Sequence, residues 1–464
     1  MTAASTAILI SLVAIVLLAP RRWALLGMMA GILYLTQGHY VQVAGLNIFP
    51  TRVLALAALT RVLCRRELSV LGLTRLDTVF FVLYGFVLVV YAIRTDVLEG
   101  YNLGLVIDAV VSYLAFRGLV HTFDEFHWFL RMTALILVPY AMLVCVETYT
   151  SVNPFAAVGG VELRRAGDLW FREGRLRATG SFGHPSLLGT CAATFAALYV
   201  GAVVSPKARW ISTTGLAACV LIIWATNSGG PLTCLAVAAV GWALWSARRE
   251  MRFVRRGIVL LFIALLVVMK APIWYVLARI SDVTGGDGFH RARLLDVAFQ
   301  NLDKWWLAGM PLLKTRGWMP YVNATTGGTD ITNHFLLFGL TAGLGALVLA
   351  VVVLIVSFSR LGKALAYART LPRQRSRSVE ITLWSLGVVL AIHSFNWFGI
   401  SYWDQTNMLW LMHLAMVSSL TSPASLLPPQ ASPSPAAAKR TGFASPLTSP
   451  PAQRTWAPVH RRGR

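Results

Sequence analysis

Thirteen apolar runs constrain this 464-residue chain more than any other feature: 5–19, 22–37, 48–64, 77–94, 103–120, 128–148, 185–205, 210–227, 231–247, 257–277, 335–357, 381–398 and 405–420. A helix that crosses the hydrocarbon core needs about 17–25 mostly apolar residues. The expected fold class is therefore all-α, a polytopic membrane protein of about 12–13 transmembrane helices filling residues 1–420. Only 13% of the residues are charged and 56% are hydrophobic, which excludes a soluble protein. The first run is as short as that of a signal peptide. Arg21 and Arg22 follow it instead of preceding it, and Pro20 is no cleavage site, so it reads as a retained helix.

A formal net charge of +22 invites a nucleic-acid reading, and its distribution argues against one. The basic residues gather in alternate loops: Arg61, Arg65, Arg66 and Arg75; Lys207 and Arg209; Arg248 to Arg256; Arg360 to Arg377. Short Lys/Arg-rich loops stay in the cytoplasm. The intervening stretches 38–47 and 228–230 carry neither residue. The expected topology has the N-terminus and the segments 149–184 and 278–333 outside, and the C-terminus inside. All five cysteines lie in or beside apolar runs, so no disulfide framework is implied. Residues 421–464 are rich in Pro, Ser and Ala, basic and without acidic residues. Such a segment buries too little apolar surface to order itself, and is expected to be a disordered cytoplasmic tail with weak attraction to anionic lipid.

No internal repeat, phosphate-cradling Walker sequence, dinucleotide fingerprint or CxxC spacing is present. Polar chemistry must come from the two long external segments and from polar groups inside helices. The first segment begins after Glu147 and ends in "GRLRATGSFGHPSLLG", which carries Arg175, Arg177 and His184 at the start of the seventh apolar run. Pro185 suits the first turn of a helix, and a helix N-terminus favours an anion. Arg177 beside glycine-rich backbone and a helix start makes a candidate phosphate site. Glu147, at the end of its helix, is either an anchor or a substrate contact.

The second segment is longer than a connector requires. Asp287 is a plausible N-cap, and Leu294, Val297, Ala298, Leu302, Trp305 and Trp306 recur at helical spacing. That pattern predicts an amphipathic helix on the outer membrane surface with both tryptophans at the interface. His290, Arg291 and Arg293 bunch at its start. Asp330, Asn333 and His334 then stand at the mouth of the eleventh run, where a histidine beside Asn and Asp is a candidate general base. Arg52, Asp108, Lys270, His393 and Asn396 fall within apolar runs. Ionisable groups there are functional candidates by default, although Arg52 and Lys270 are close enough to the outer ends to snorkel.

The stretches "GLNIFPTRVLAL", "ETYTSVNPF", "RLRATGSFGHPSLLG" and "DITNHFLLFGLTAGLG" together resemble the O-antigen ligase and polymerase family of bacterial envelope proteins. Family members are metal-independent inverting glycosyltransferases of the cytoplasmic (inner) membrane. They move a glycan from undecaprenyl diphosphate onto a sugar acceptor at the outer, periplasmic face. The resemblance implies no cofactor, a diphosphate-binding role for Arg177 and a base role for His334. His290 and Asp330 are alternative catalytic groups, and His184, Arg291, Arg293, Asn333, Arg52 and Glu147 are candidate substrate contacts. The family order is usually His then Asn, whereas here Asn333 precedes His334. Gly229 stands in the short "TNSGGP" loop where many members have arginine. "FHRARLLD" and "KWWLAG" lean toward the polymerase-type branch that acts on exopolysaccharide.

The chemistry of the residues agrees with that expectation. No nucleotide sugars exist outside the cytoplasm, so a donor arrives attached to lipid, and its diphosphate calls for charge-assisted arginine contacts. A flippase or exporter would instead need a polar pathway near the midplane. A non-catalytic scaffold of a polysaccharide export complex would tolerate loss of Arg177.

Overall fold

The computed structural model describes residues 2–43, 46–68, 70–94, 100–159, 171–204, 209–284, 288–322 and 329–426. Glu162, Arg164, Arg165, Asp168, Lys207, the expected cap Asp287 and the tail from residue 427 lie outside the described residues.

Helices account for nearly all regular structure. The first six are α1 (Ala3–Leu18), α2 (Arg21–Tyr34), α3 (Pro50–Cys64), α4 (Arg75–Ile93), α5 (Gly100–Leu119) and α6 (Phe123–Thr150). A short hairpin, β1 (Val41–Val43) with β2 (Leu46–Ile48), precedes α3. The single turn α7 (Pro154–Gly159) and a second hairpin, β3 (Phe171–Arg172) with β4 (Arg175–Leu176), lead into α8 (Pro185–Val203). Then come α9 (Arg209–Thr226), α10 (Gly229–Ala243), α11 (Met251–Val268), α12 (Val276–Thr284) and α13 (Gly288–Gln300). The chain finishes with α14 (His334–Ala368), α15 (Arg373–Asn396), α16 (Asp404–Leu420) and the turn α17 (Pro423–Leu426).

The chain is thus a mostly helical, multi-pass membrane protein. Each expected apolar run is helical over most of its length. Among the described residues, seven helices are long and apolar enough to cross a membrane, or eight if the bent pair Met251–Val268 and Ile273–Ile280 is one span. That is fewer than expected, because α1, α2, α3, α10 and α16 have only 14 to 17 residues. The run 257–277 is not one straight helix: it turns through 104° ahead of Ile273, where Pro272 cannot continue the hydrogen-bond ladder. α16 runs through the core with nearly every residue buried.

Caps set several helix starts. Thr74 and Asp77 form a reciprocal capping box on α4, as Thr122 and Glu125 do on α6. Asp77 also accepts hydrogen bonds from the Tyr113 hydroxyl (2.6 Å), Ser418 (2.7 Å) and Arg117 Nε (3.2 Å), which ties α4 to α5 and α16. At this same end Arg360 binds Thr421 and Arg369 pairs with Glu380 at 2.7 Å. Arg369 also donates to the Arg248 carbonyl, so the basic segments around Arg75, Arg248, Arg360 and Arg369 share one end of the bundle. Residues 421–426 belong there too, which corrects the expected boundary of the tail. Ser422, Ser425 and Leu426 are buried, and Ser425 donates to the His121 carbonyl at 2.6 Å.

The amphipathic segment is also corrected. Leu294, Val297 and Ala298 of α13 pack with Trp305, Met319, Ile331, Leu336 and Leu340 into a second core. Trp305 is buried, with its indole N–H on the Ala298 carbonyl, while Trp306 alone of the pair is exposed. The apolar face meets protein, not lipid.

That segment also plugs a break in α14. Ala342 and Gly343 leave helical geometry, Gly343 with φ 84°. The freed groups find new partners: Met310 N on Leu340 O and Leu344 N on Trp306 O, both at 2.7 Å, and Arg94 on Thr341 O at 2.6 Å. A Cβ on Gly343 would strike the Leu307 carbonyl, and one on Gly309 (φ 60°) would sit 2.5 Å from Ala342 N. Gly343→Ala is therefore expected to cost about 1–3 kcal/mol. Thermal unfolding of detergent-purified protein checks this, and an unchanged midpoint would count against the close fit.

Candidate functional site

The segment from 171 to 186 is pinned along its length. Glu173 (φ 52°) and Gly174 (φ 74°) make the two-residue turn between β3 and β4. Beyond it, Ala178 N donates to Ala225 O at 3.1 Å. The Glu147 carboxylate, at the end of α6, accepts from the amides of Thr179 (2.9 Å) and Gly180 (2.8 Å) and from the Thr179 hydroxyl. Gly180 (φ 59°) leaves room for the Tyr140 hydroxyl, which also bonds Ser181. His184 caps α8 by accepting the Ser186 amide at Nδ1 (3.1 Å), and Pro185 opens the helix as expected.

This scaffold delivers Arg177 to a cavity of about 710 Å³. Its guanidinium donates to the Ser228 hydroxyl (3.2 Å), which in turn contacts Ser186 (2.7 Å), so Arg177 bridges the starts of α8 and α10. Burial, with Arg172 nearby, pushes the Arg177 pKa down to about 10. It remains a cation at neutral pH, and a bound anion would stabilise that charge.

Arg172, Arg177 and Arg291 all line the cavity, as do the carboxylates Asp330 and Asp404. The N-terminal ends of α8 (His184), α10 (Ser228, Gly229, Gly230) and α16 (Trp403, Asp404) open onto it as well. The N-cap residues of α10 and α16, Ser228 and Trp403, supply no side-chain cap. Aligned peptide dipoles at such helix starts favour an anion.

Of the residues singled out from sequence, Arg177, His184, Arg291 and Asp330 come together on this wall. The others are placed elsewhere. His334 is buried against Trp397 and Tyr402, and its Nδ1 accepts the Tyr402 amide at 3.1 Å. It stands behind the wall and holds one of the wall's residues. His290 stacks on Tyr321 with ring centroids 3.8 Å apart, and Arg293 is exposed. Asn333 caps α14 by accepting the Leu336 amide. Arg52 does not snorkel: it forms a two-point pair with Asp108, 2.6 Å for each bond. That pair also supplies the partner of Asp108, which spacing alone could not name. Glu147 supports the segment after Arg177 without lining the cavity.

Sequence reasoning missed Arg172, Ser228 and Asp404. The available signal was their place: each lies in a connection assigned to the same side of the membrane as Arg177. Among the described residues no three His, Cys, Asp or Glu side chains cluster to hold a metal ion. No protein-family model matches the chain, and no curated protein matches it significantly.

Proposed function

We propose that this cavity binds the diphosphate of a polyprenyl-linked glycan and transfers the glycan to a sugar hydroxyl. The carrier is undecaprenyl diphosphate or a close relative, and the product belongs to O-antigen or exopolysaccharide biosynthesis. One observation carries the reading: three arginines and three helix N-termini face a single cavity at one end of a membrane bundle. The basic segments around Arg75, Arg248, Arg360 and Arg369 share the other end, and the positive-inside bias holds them in the cytoplasm. The cavity then opens at the outer face of the bacterial cytoplasmic membrane, where only lipid-linked donors are present.

The reaction needs what the cavity offers. As the bond between the anomeric carbon and the diphosphate oxygen breaks, negative charge grows on the leaving group. Arg177, with its planar fork, is positioned to bond that charge, and Arg172 and Arg291 add to the field. Preorganised donors in a site sheltered from water stabilise the transition state more than they stabilise the substrate. His184 contributes as a donor, since its Nδ1 already accepts a backbone N–H and the proton of the neutral ring must sit on Nε2.

Binding tests the donor assignment. Purified protein in EDTA-containing buffer is expected to bind polyprenyl diphosphate at least about tenfold more tightly than polyprenyl monophosphate, because a second phosphate adds charge-assisted bonds worth about 1.5–3 kcal/mol each. Equal affinities would remove the diphosphate from the account.

A further inference from the structure

We infer that Asp404 is the catalytic base that takes the proton from the acceptor hydroxyl, an assignment that rests on the glycan-transfer reading. Asp404 is a non-glycine residue with φ 48°, in the left-handed region, at the first position of α16 and on the cavity wall. Aspartate and asparagine enter this region more readily than other side chains, and fixed neighbours hold Asp404 there. Here the neighbours on both sides are held. Ser401 donates to Ile331 O at 2.5 Å, and the Tyr402 amide donates to His334 Nδ1. The Tyr402 hydroxyl is fixed by His393 Nδ1 (2.9 Å) and Asn396 (3.2 Å), and His393 is fixed in turn by His413 (3.1 Å). On the other side Gln405 donates to the carbonyls of Ser181 (2.8 Å) and Leu35 (3.1 Å). Gly183 completes the fit. A Cβ there would meet the Trp403 ring at 2.5 Å and Asp404 Oδ2 at 3.3 Å.

The buried histidines therefore act as positioning residues, and the group they position is a carboxylate. His334 Nδ1 is taken by the Tyr402 amide, and His184 presents a donor to the cavity. Asp330, the second carboxylate, is exposed, whereas Asp404 is half-buried beside the Gly183 backbone.

In the step assigned to Asp404, the acceptor O–H bond breaks and its proton moves to the carboxylate. The acceptor oxygen forms the new bond to the anomeric carbon. The bond from that carbon to the diphosphate breaks, with its electron pair going to the phosphate oxygen. Water then takes the proton from Asp404.

The test compares Asp404→Asn, Asp404→Ala and Asp404→Glu in reconstituted protein, measuring polyprenyl diphosphate binding and glycan transfer separately. Asn tolerates left-handed backbone, so Asp404→Asn preserves the loop. Asp404→Asn is expected to bind the lipid diphosphate as the unaltered protein does while transferring glycan about 10²- to 10⁴-fold more slowly. Asp404→Glu should recover part of the rate, and Asp404→Ala none. Transfer by Asp404→Asn at the original rate would overturn the assignment. So would loss of lipid binding in Asp404→Asn, which would make Asp404 a part of the binding site or its architecture. Absence of transfer by the unaltered protein itself would be a failure of the glycan-transfer reading, not of the choice of base.

Discussion

Arg177→Ala is expected to lower glycan transfer about a hundredfold at matched membrane levels, and Arg177→Lys to fail nearly as badly. Lysine keeps the charge but loses the planar fork that, in the proposed reaction, bonds the leaving oxygens while donating to Ser228. Loss of one charge-assisted contact in a sheltered transition state is worth about 3 kcal/mol, which sets that magnitude. Arg175, two residues earlier, is the control. It stacks on Trp224 at 4.5 Å and donates to that residue's carbonyl, and it does not line the cavity. Its replacement by alanine should cost no more than a cation–π contact, roughly 0.5–1 kcal/mol of stability, with transfer near normal. Product yield and chain length in cells expressing each variant measure the contrast. Equal activity of the two alanine variants would reduce the segment to a membrane-surface anchor.

Glu147→Ala should be damaging although Glu147 lies outside the cavity lining. The carboxylate satisfies two buried amides, Thr179 N and Gly180 N, in the segment that carries Arg177 toward α8. Each amide left without an acceptor costs about 1–3 kcal/mol. The expected result is a lower unfolding temperature together with weaker binding of lipid diphosphate. Glu147→Gln should be milder, since its carbonyl oxygen still serves one amide while its NH₂ faces the other donor. Thermal unfolding and lipid binding on the same samples separate the effects. Unchanged behaviour of Glu147→Ala on both would show that the segment is held by its other bonds, such as Ser181 to Leu33 O.

What the sequence revealed and what it hid follow from the range of the interactions. Apolar runs report local burial, so nearly every helix was legible, as was the start of α8 at His184-Pro185. Pro272 marked the break in the tenth run, although a run-length criterion passes over it. The fate of α13 was not legible, because a period of 3.6 shows that one face is apolar without saying whether lipid or protein meets it. Arg52 and Asp108 lie 56 positions apart, and their pairing is a tertiary fact. Asp404 was hidden most completely. In "YWDQTN" it looks like an ordinary helix start, and its neighbours are held by Ser181, His334 and Ile331, from distant parts of the chain. His334 stood out because histidine beside Asn and Asp is a familiar pattern of a base. Folding instead turned its ring nitrogen to a backbone amide.

Transfer in a defined system reveals whether a glycosidic bond is made in this cavity. Purified protein in liposomes is given a polyprenyl diphosphate-linked oligosaccharide, labelled in the sugar, together with an acceptor glycan. Label is expected to move covalently to the acceptor while glycan-free polyprenyl diphosphate accumulates in equal amount, with both products reduced about a hundredfold in Arg177→Ala. Label that crosses between leaflets still attached to its original lipid, with no free polyprenyl diphosphate formed, would contradict glycan transfer and make the protein a transporter.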